Sequence, residues 1–180
     1  MNCKNITLIG MPGAGKSTVG VVLAKMLGYR FLDSDLEIQE QTKKRLHELI
    51  FEYGQQGFLE IENRINAGIS VSNTVIATGG SAVYGTQAME HLREISTVVY
   101  LKLSYESLKT RLGDLQERGV VMEPGQTLQE LMDIRCPLYE KYAHVTVDVD
   151  RMDIREIAKR LSVASVCGRK ERNENDKRRI

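Results

Sequence analysis

The run Gly10-Met11-Pro12-Gly13-Ala14-Gly15-Lys16-Ser17-Thr18 fits G-x-x-x-x-G-K-[ST], the spacing of a phosphate-binding loop. Glycines let backbone N–H groups approach phosphate oxygens because no Cβ intervenes. A helix starting at the end of the loop adds partial positive charge at the same point. Gly13, Ala14, Gly15, Lys16, Ser17 and Thr18 therefore read as a nucleoside triphosphate-binding set. Lys16 would reach the β- and γ-phosphates, and the Ser17 hydroxyl would ligate Mg²⁺. The motif needs a strand before it and a helix after it. Ile6–Ile9 is a strand-like apolar run, and Val19, Val22, Leu23, Met26 and Leu27 recur at helical spacing. A plain glycine-rich turn with a solvated lysine would require neither neighbour.

Asp33 and Asp35 stand one residue apart just past a second strand candidate. Phosphoryl transfer asks two things of carboxylates: one to anchor Mg²⁺, another to orient the acceptor hydroxyl and take its proton. The bland alternative is a turn in which Ser34 or Asp35 caps the next helix. Gly79-Gly80 follows Val75-Ile76-Ala77-Thr78 and reads as backbone that must come close to a ligand or turn sharply. Arg135 lies in Arg-Cys-Pro-Leu-Tyr, where Pro137 predicts a break or kink in a helix.

These groups must be positioned by alternating strands and helices. Apolar or β-branched runs at Ile6–Ile9, Tyr29–Leu32, Thr74–Ala77, Thr97–Leu103 and Val145–Val149 predict strands. Helices are expected over Lys16–Leu27, Leu46–Tyr53, Phe58–Val71, Thr86–Ile95, Tyr105–Leu115, Leu128–Tyr142 and Ile154–Val166. Strands separated by helices argue for an α/β parallel sheet covered on both faces. The phosphate loop, Asp33-Ser34-Asp35 and Gly79-Gly80 all follow strand ends, so they converge on one crevice. Leu115 to Gln126, with two glycines and a proline, reads as a mobile loop or lid. The tail from Gly168 to Ile180 carries six Lys/Arg and three Asp/Glu, and is expected to be disordered.

The whole chain, at 180 residues, is sized for one domain, expected over 1–167 with a lid at about 114–126 and the tail at 168–180. A net charge of +1 provides no field for nucleic acid or a membrane surface. No apolar run reaches bilayer-spanning length, and Met1-Asn2-Cys3-Lys4 leads straight into the first strand without a signal peptide. Cys3, Cys136 and Cys167 are isolated and odd in number, which suits a reducing cytoplasm and matches no zinc spacing. His47, His91 and His144 are scattered and read as surface or strand-end residues.

In combination these residues resemble the shikimate kinases, small P-loop kinases related in fold to the nucleoside monophosphate kinases. The similarity runs from about Asn5 to Leu161 and rests on Gly10–Thr18, Phe31-Leu32-Asp33-Ser34-Asp35, Thr78-Gly79-Gly80, and the arginines 111, 118 and 135. It implies a three-layer P-loop kinase fold with a five-stranded parallel sheet, helices on both faces and a mobile lid. It also implies transfer of the γ-phosphoryl group of ATP, with Mg²⁺, to a ring hydroxyl of shikimate. On that resemblance Asp35 holds the acceptor hydroxyls and acts as base, and Asp33 supports Mg²⁺ beside Ser17. Lys16 and the lid residue Arg118 neutralise the transferring group, and Arg111 stacks on adenine. Gly79, Gly80 and Arg135 bind the acceptor, Arg135 through its carboxylate. The implied partner is the small-molecule acceptor, met by a cytoplasmic monomer that binds neither nucleic acid nor membrane.

Three departures stand out. The family pattern Phe-Arg-x-x-Glu is Phe58-Leu59-Glu60-Ile61-Glu62 here, so the arginine that joins Arg135 on the substrate carboxylate is Leu59. The family's third glycine is Ser81, and its lid Arg-Pro-Leu-Leu is Arg118-Gly119-Val120-Val121. Losing one partner of a buried charge pair costs about 2–5 kcal/mol, roughly thirty- to several-thousand-fold in affinity. Arg64 or Arg45 are the candidate substitutes. The alternatives are a kinase of the same fold for another small hydroxylated metabolite, and a nucleotide-binding regulator without an acceptor. A nucleic-acid protein is opposed by the near-neutral charge and the lack of aromatic stacking motifs.

Overall fold

The computed structural model describes residues 5–112 and 125–163. Five strands, β1 (Asn5–Ile9), β2 (Arg30–Asp33), β3 (Thr74–Ala77), β4 (Ser96–Lys102) and β5 (Val145–Asp148), form one sheet in the order β2-β3-β1-β4-β5, every pairing parallel. β1 and β3 are buried at every position and β4 at five of seven, the pattern of strands covered on both faces. Asn5 ties three strand ends together. Its Nδ2 donates to the carbonyls of Val71 and Ile95, and its Oδ1 accepts from the Thr74 amide. The buried Thr7 and Ser96 hydroxyls share a 2.6 Å hydrogen bond across β1 and β4.

Around the sheet lie α1 (Lys16–Leu27), α2 (Ser34–Thr42), α3 (Leu46–Ala67), α4 (Thr86–Ile95), α5 (Tyr105–Leu112), α6 (Leu128–Tyr142) and a last helix, α7, over residues 154–163. The five strands and most helices fall where the sequence predicts them. Four details differ. α2 was not expected. Only Ser34 and Ile38 of its residues are buried, so its sequence carries no apolar stripe. The two helices expected around Gly54 and Gly57 form one element, α3, interrupted only at Gly54 (φ 69°, ψ 177°), a conformation essentially reserved for glycine. That element ends at Ala67, short of Val71, where Gly68 caps it. α6 runs unbroken through Pro137. Pro137 and Asp133, whose carbonyl would have received the missing N–H, are both exposed, so water can take the lost bond. The expected lid and the charged tail, with Cys3 and Cys167, lie outside the described residues apart from the lid's last two positions.

The apolar side chains gather into two clusters. The larger spans both faces of the sheet and includes Leu8, Val19, Leu23, Ile76, Val98 and Leu101. A smaller one, Ile38, Leu49, Phe58 and Ile65, joins α2 to α3, with Leu46, Ile50, Leu59 and Ile61 packed around it. That second cluster carries one wall of the crevice described next.

Candidate active site

The loop between β1 and α1 is shaped by glycines with positive φ: Gly10 at 145°, Gly13 at 78° and Gly15 at 86°. A Cβ on Gly10 would stand 2.7 Å from the Leu101 carbonyl oxygen, so no other residue fits there without moving β4. α1 begins with no side-chain cap and no acidic residue in its first turn. Its leading N–H groups are thus left for an anion, and the helix dipole favours one. Lys16 is buried, and its Nζ donates to the carbonyls of Gly10 (2.8 Å) and Met11 (3.0 Å). Burial pulls its pKa down to about 8. Arg135 adds to that, while Asp35, Asp33 and Glu62 oppose it. This lysine is held close to the loop in a place where added negative charge restores its full protonation.

Asp33 ends β2 and caps α2. Its Oδ1 accepts from the Asp35 amide at 3.0 Å, and its Oδ2 accepts from the Ser17 hydroxyl at 2.6 Å. The capping alternative read from sequence is therefore realised by Asp33, one residue earlier than Ser34 or Asp35. A hydroxyl beside a carboxylate is an all-oxygen pair, the chemistry Mg²⁺ prefers, with room left for phosphate and water. Asp35, freed from capping, turns into the crevice. Burial pushes its carboxyl up to about 6, the Asp33 charge adds to the rise and Lys16 opposes it.

Gly79 and Gly80 follow β3. The Gly79 amide donates to the Ser34 hydroxyl. A Cβ on Gly79 would lie 2.6 Å from Glu62 Oε1 and 2.7 Å from Asp35 Oδ1, so the missing side chain makes room for two carboxylates. A Cβ on Gly80 would meet Pro12 of the phosphate loop at 2.8 Å and Arg135 at 3.3 Å. Arg135 is only 1% exposed. Its Nε donates to the Tyr84 hydroxyl at 3.1 Å, while Tyr139, one turn on, donates to the Gly80 carbonyl at 2.6 Å.

Gly13, Gly15, Lys16, Ser17, Thr18, Asp35, Gly79, Gly80 and Arg135 thus line one cavity of about 410 Å³, with Leu46, Ile50 and Phe58 from α3. Ala14 is buried beneath the loop, and Asp33 reaches the site through Ser17. Arg111 is exposed in the last turn of α5, and Arg118 lies outside the described residues. Arg45 and Arg64 are both exposed, and neither lines the cavity. Leu59 lines a neighbouring cleft of about 590 Å³ that shares Arg135 as a wall.

Sequence reasoning assigned no role to Glu62. It is 1% exposed, and among the described residues neither carboxylate oxygen has a formed hydrogen bond. Burial pushes it up to about 7; the Ser81 hydroxyl offsets this in part, and Asp35 adds to it. Tyr84 and Tyr139, which brace Arg135 and Gly80, were also missed. The spacing of Phe58 and Glu62, four apart on one helical face, was the available signal for Glu62.

The sequence profile of shikimate kinase matches residues 12–164. The chain is 41% identical over 162 residues to the shikimate kinase of Thioalkalivibrio sulfidiphilus, covering 88% of this chain and 85% of that protein. It is 37% identical over 164 residues to the one from Methylococcus capsulatus, covering 89% and 91%. The structure of shikimate kinase from Acinetobacter baumannii in complex with shikimate superposes with a TM-score of 0.83 at 35% identity, covering 91% of this chain and 93% of that one. Thymidylate kinase from Candida albicans, at 14% identity and a TM-score of 0.61, shares the fold. With its phosphate loop, parallel sheet and crevice in place, the chain belongs to the shikimate kinase family.

Proposed function

We propose that this protein transfers the γ-phosphoryl group of ATP to a ring hydroxyl of shikimate. The observation that carries the reading is that Asp35 and Arg135 line the same cavity as the phosphate loop. In this reading Asp35 is the base and Arg135 the carboxylate-binding guanidinium, and their position beside the phosphate loop supports it. Lys16 and the loop amides hold the phosphates. Asp35 orients the acceptor hydroxyl and takes its proton as the oxygen attacks phosphorus. Its proton affinity, raised to about 6, keeps it ionised at neutral pH yet closer to the operating range than an ordinary aspartate. Ser17 and Asp33 are the residues that would hold Mg²⁺, which supplies charge neutralisation at the phosphates. Gly79 and Gly80 border the acceptor, Arg118 adds positive charge at the transferring group, and Arg111 contacts the adenine. The acceptor carboxylate meets one guanidinium, that of Arg135, because Leu59 provides none. The reading is completed by a monomer in the cytoplasm, and no described helix is long and apolar enough to cross a membrane.

The test is ADP release by purified protein with ATP, Mg²⁺ and shikimate. Shikimate-dependent turnover is expected, and Asp35→Asn should lower kcat by about 10²–10⁴ while leaving ATP affinity in place. ATP turnover indifferent to shikimate, or an unimpaired Asp35→Asn enzyme, would refute it.

A further inference from the structure

Glu62 has no part in the reaction just described, yet it is buried directly behind the crevice lining, against Gly79 and beside Asp35. Both its carboxylate oxygens are buried and, among the described residues, lack a formed hydrogen bond, and Oε1 crowds the same point beside Gly79 as Asp35 Oδ1. Four charged or polar groups face it: Asp35 from α2, Lys16 from α1, Arg135 from α6 and Ser81 from the turn after β3. Three residues earlier on its own helix, where a cation would be within reach, stands Leu59. With Lys16 committed to phosphate, Arg135 is the remaining cation, among the described residues, that faces Glu62. An acceptor that is itself a carboxylate brings a third negative charge close to a carboxylate that is itself cut off from water.

We propose that Glu62 sets acceptor specificity by taking up a proton when an acid acceptor binds, so that the pocket receives a carboxylate only together with a proton. The inference rests on the shikimate reading above. The balance is simple. Ionised Glu62, one proton from bulk water and the acceptor anion give a complex with Glu62 as the neutral acid and the acceptor carboxylate on Arg135. No bond to carbon or phosphorus changes. An uncharged acceptor of the same shape, such as the methyl ester, needs no proton. Burial makes the exchange accessible near neutrality: Glu62 protonates at about 7 in the free protein, so it is largely ionised at pH 8 and largely neutral at pH 6.

The experiment is calorimetric titration of shikimate into the protein saturated with Mg²⁺ and a non-hydrolysable ATP analogue, so that phosphate holds Lys16 charged. Two buffers of different ionisation enthalpy are used at pH 6 and at pH 8. Close to one proton taken up per shikimate is expected at pH 8 and little at pH 6. The KM for shikimate should rise severalfold over that interval, whereas that for methyl shikimate, which feels only the titration of Asp35 near pH 6, should not rise. Glu62→Gln should abolish both the uptake at pH 8 and the rise in KM from pH 6 to pH 8. Leu59→Arg, which keeps Glu62 but supplies a guanidinium to hold it ionised, should abolish the uptake while tightening shikimate binding. Binding at pH 8 without proton uptake, or uptake that persists in Glu62→Gln, overturns the inference and leaves the shikimate reading standing. Failure to bind or phosphorylate shikimate at either pH overturns both.

Discussion

The buried Glu62 carboxyl makes the stability of the free protein depend on pH in a direction opposite to that of a salt-bridged acid. Burial raises its pKa from an ordinary 4.5 to about 7. Between those values the folded protein binds more protons at this position than the unfolded chain does. Stability from this group is therefore complete below pH 4.5 and is lost as pH rises through 7. The shift spans about 2.5 pKa units. At 1.36 kcal/mol per unit, the folded state gives up about 3 kcal/mol by pH 8. Glu62→Gln keeps the shape and cannot ionise. Its stability relative to the parent should climb by about 2.5 kcal/mol from pH 5 to pH 8, a relative rise in Tm of roughly 5–10 °C for a chain of this length. Any fixed cost of burying the amide shifts the whole comparison without changing its slope. Urea unfolding of both proteins at pH 5, 6, 7 and 8 measures the difference directly. A difference that does not change with pH would show that Glu62 is already ionised in the folded protein at pH 5, its proton affinity not raised by burial, and the electrostatic argument would fail.

Three further outcomes follow from local geometry. Gly79→Ala sets a methyl 2.6 Å from Glu62 Oε1 and 2.7 Å from Asp35 Oδ1. It should cost about 1–3 kcal/mol of stability and cut shikimate-dependent turnover, while a fluorescent ATP analogue still binds. Gly20→Ala would gain about 1 kcal/mol by helix propensity alone, but its Cβ would stand 2.6 Å from the Phe31 ring. The clash should win, leaving the variant less stable by a thermal melt than the parent. Ser17→Ala removes the hydroxyl that bonds Asp33, and the Mg²⁺ concentration for half-maximal ADP release should rise severalfold.

Much of the architecture was legible because it is written in local patterns. Buried parallel strands are short apolar runs, and the phosphate loop is a fixed spacing between a strand and a helix. What was hidden depends on tertiary context. α2 escaped because a helix that buries only Ser34 and Ile38 has no hydrophobic period to detect. Pro137 does not break α6, and the residue whose carbonyl loses its N–H partner, Asp133, is exposed, so water can compensate. Glutamate and arginine on helices read as solvated residues, so the burial of Glu62 and Arg135 could not be inferred from their types. Arg135 was reached through family resemblance. Glu62, though part of the same pattern, received no role because its meaning depends on what Leu59 fails to supply. The orientation of Asp35 likewise depends on Asp33 taking over the cap.

The separate small cluster of Ile38, Leu49, Phe58 and Ile65 has a consequence for descent. The donor machinery is built on the large core, whereas the wall facing the acceptor rests on a few side chains from two adjacent helices. Substitutions at its rim, where Leu59 packs, would bear on the acceptor while leaving the large core under the phosphate loop undisturbed. A lineage can thus explore new acceptors while its use of ATP stays fixed, and such a division lets one scaffold diversify by exchanging a single wall.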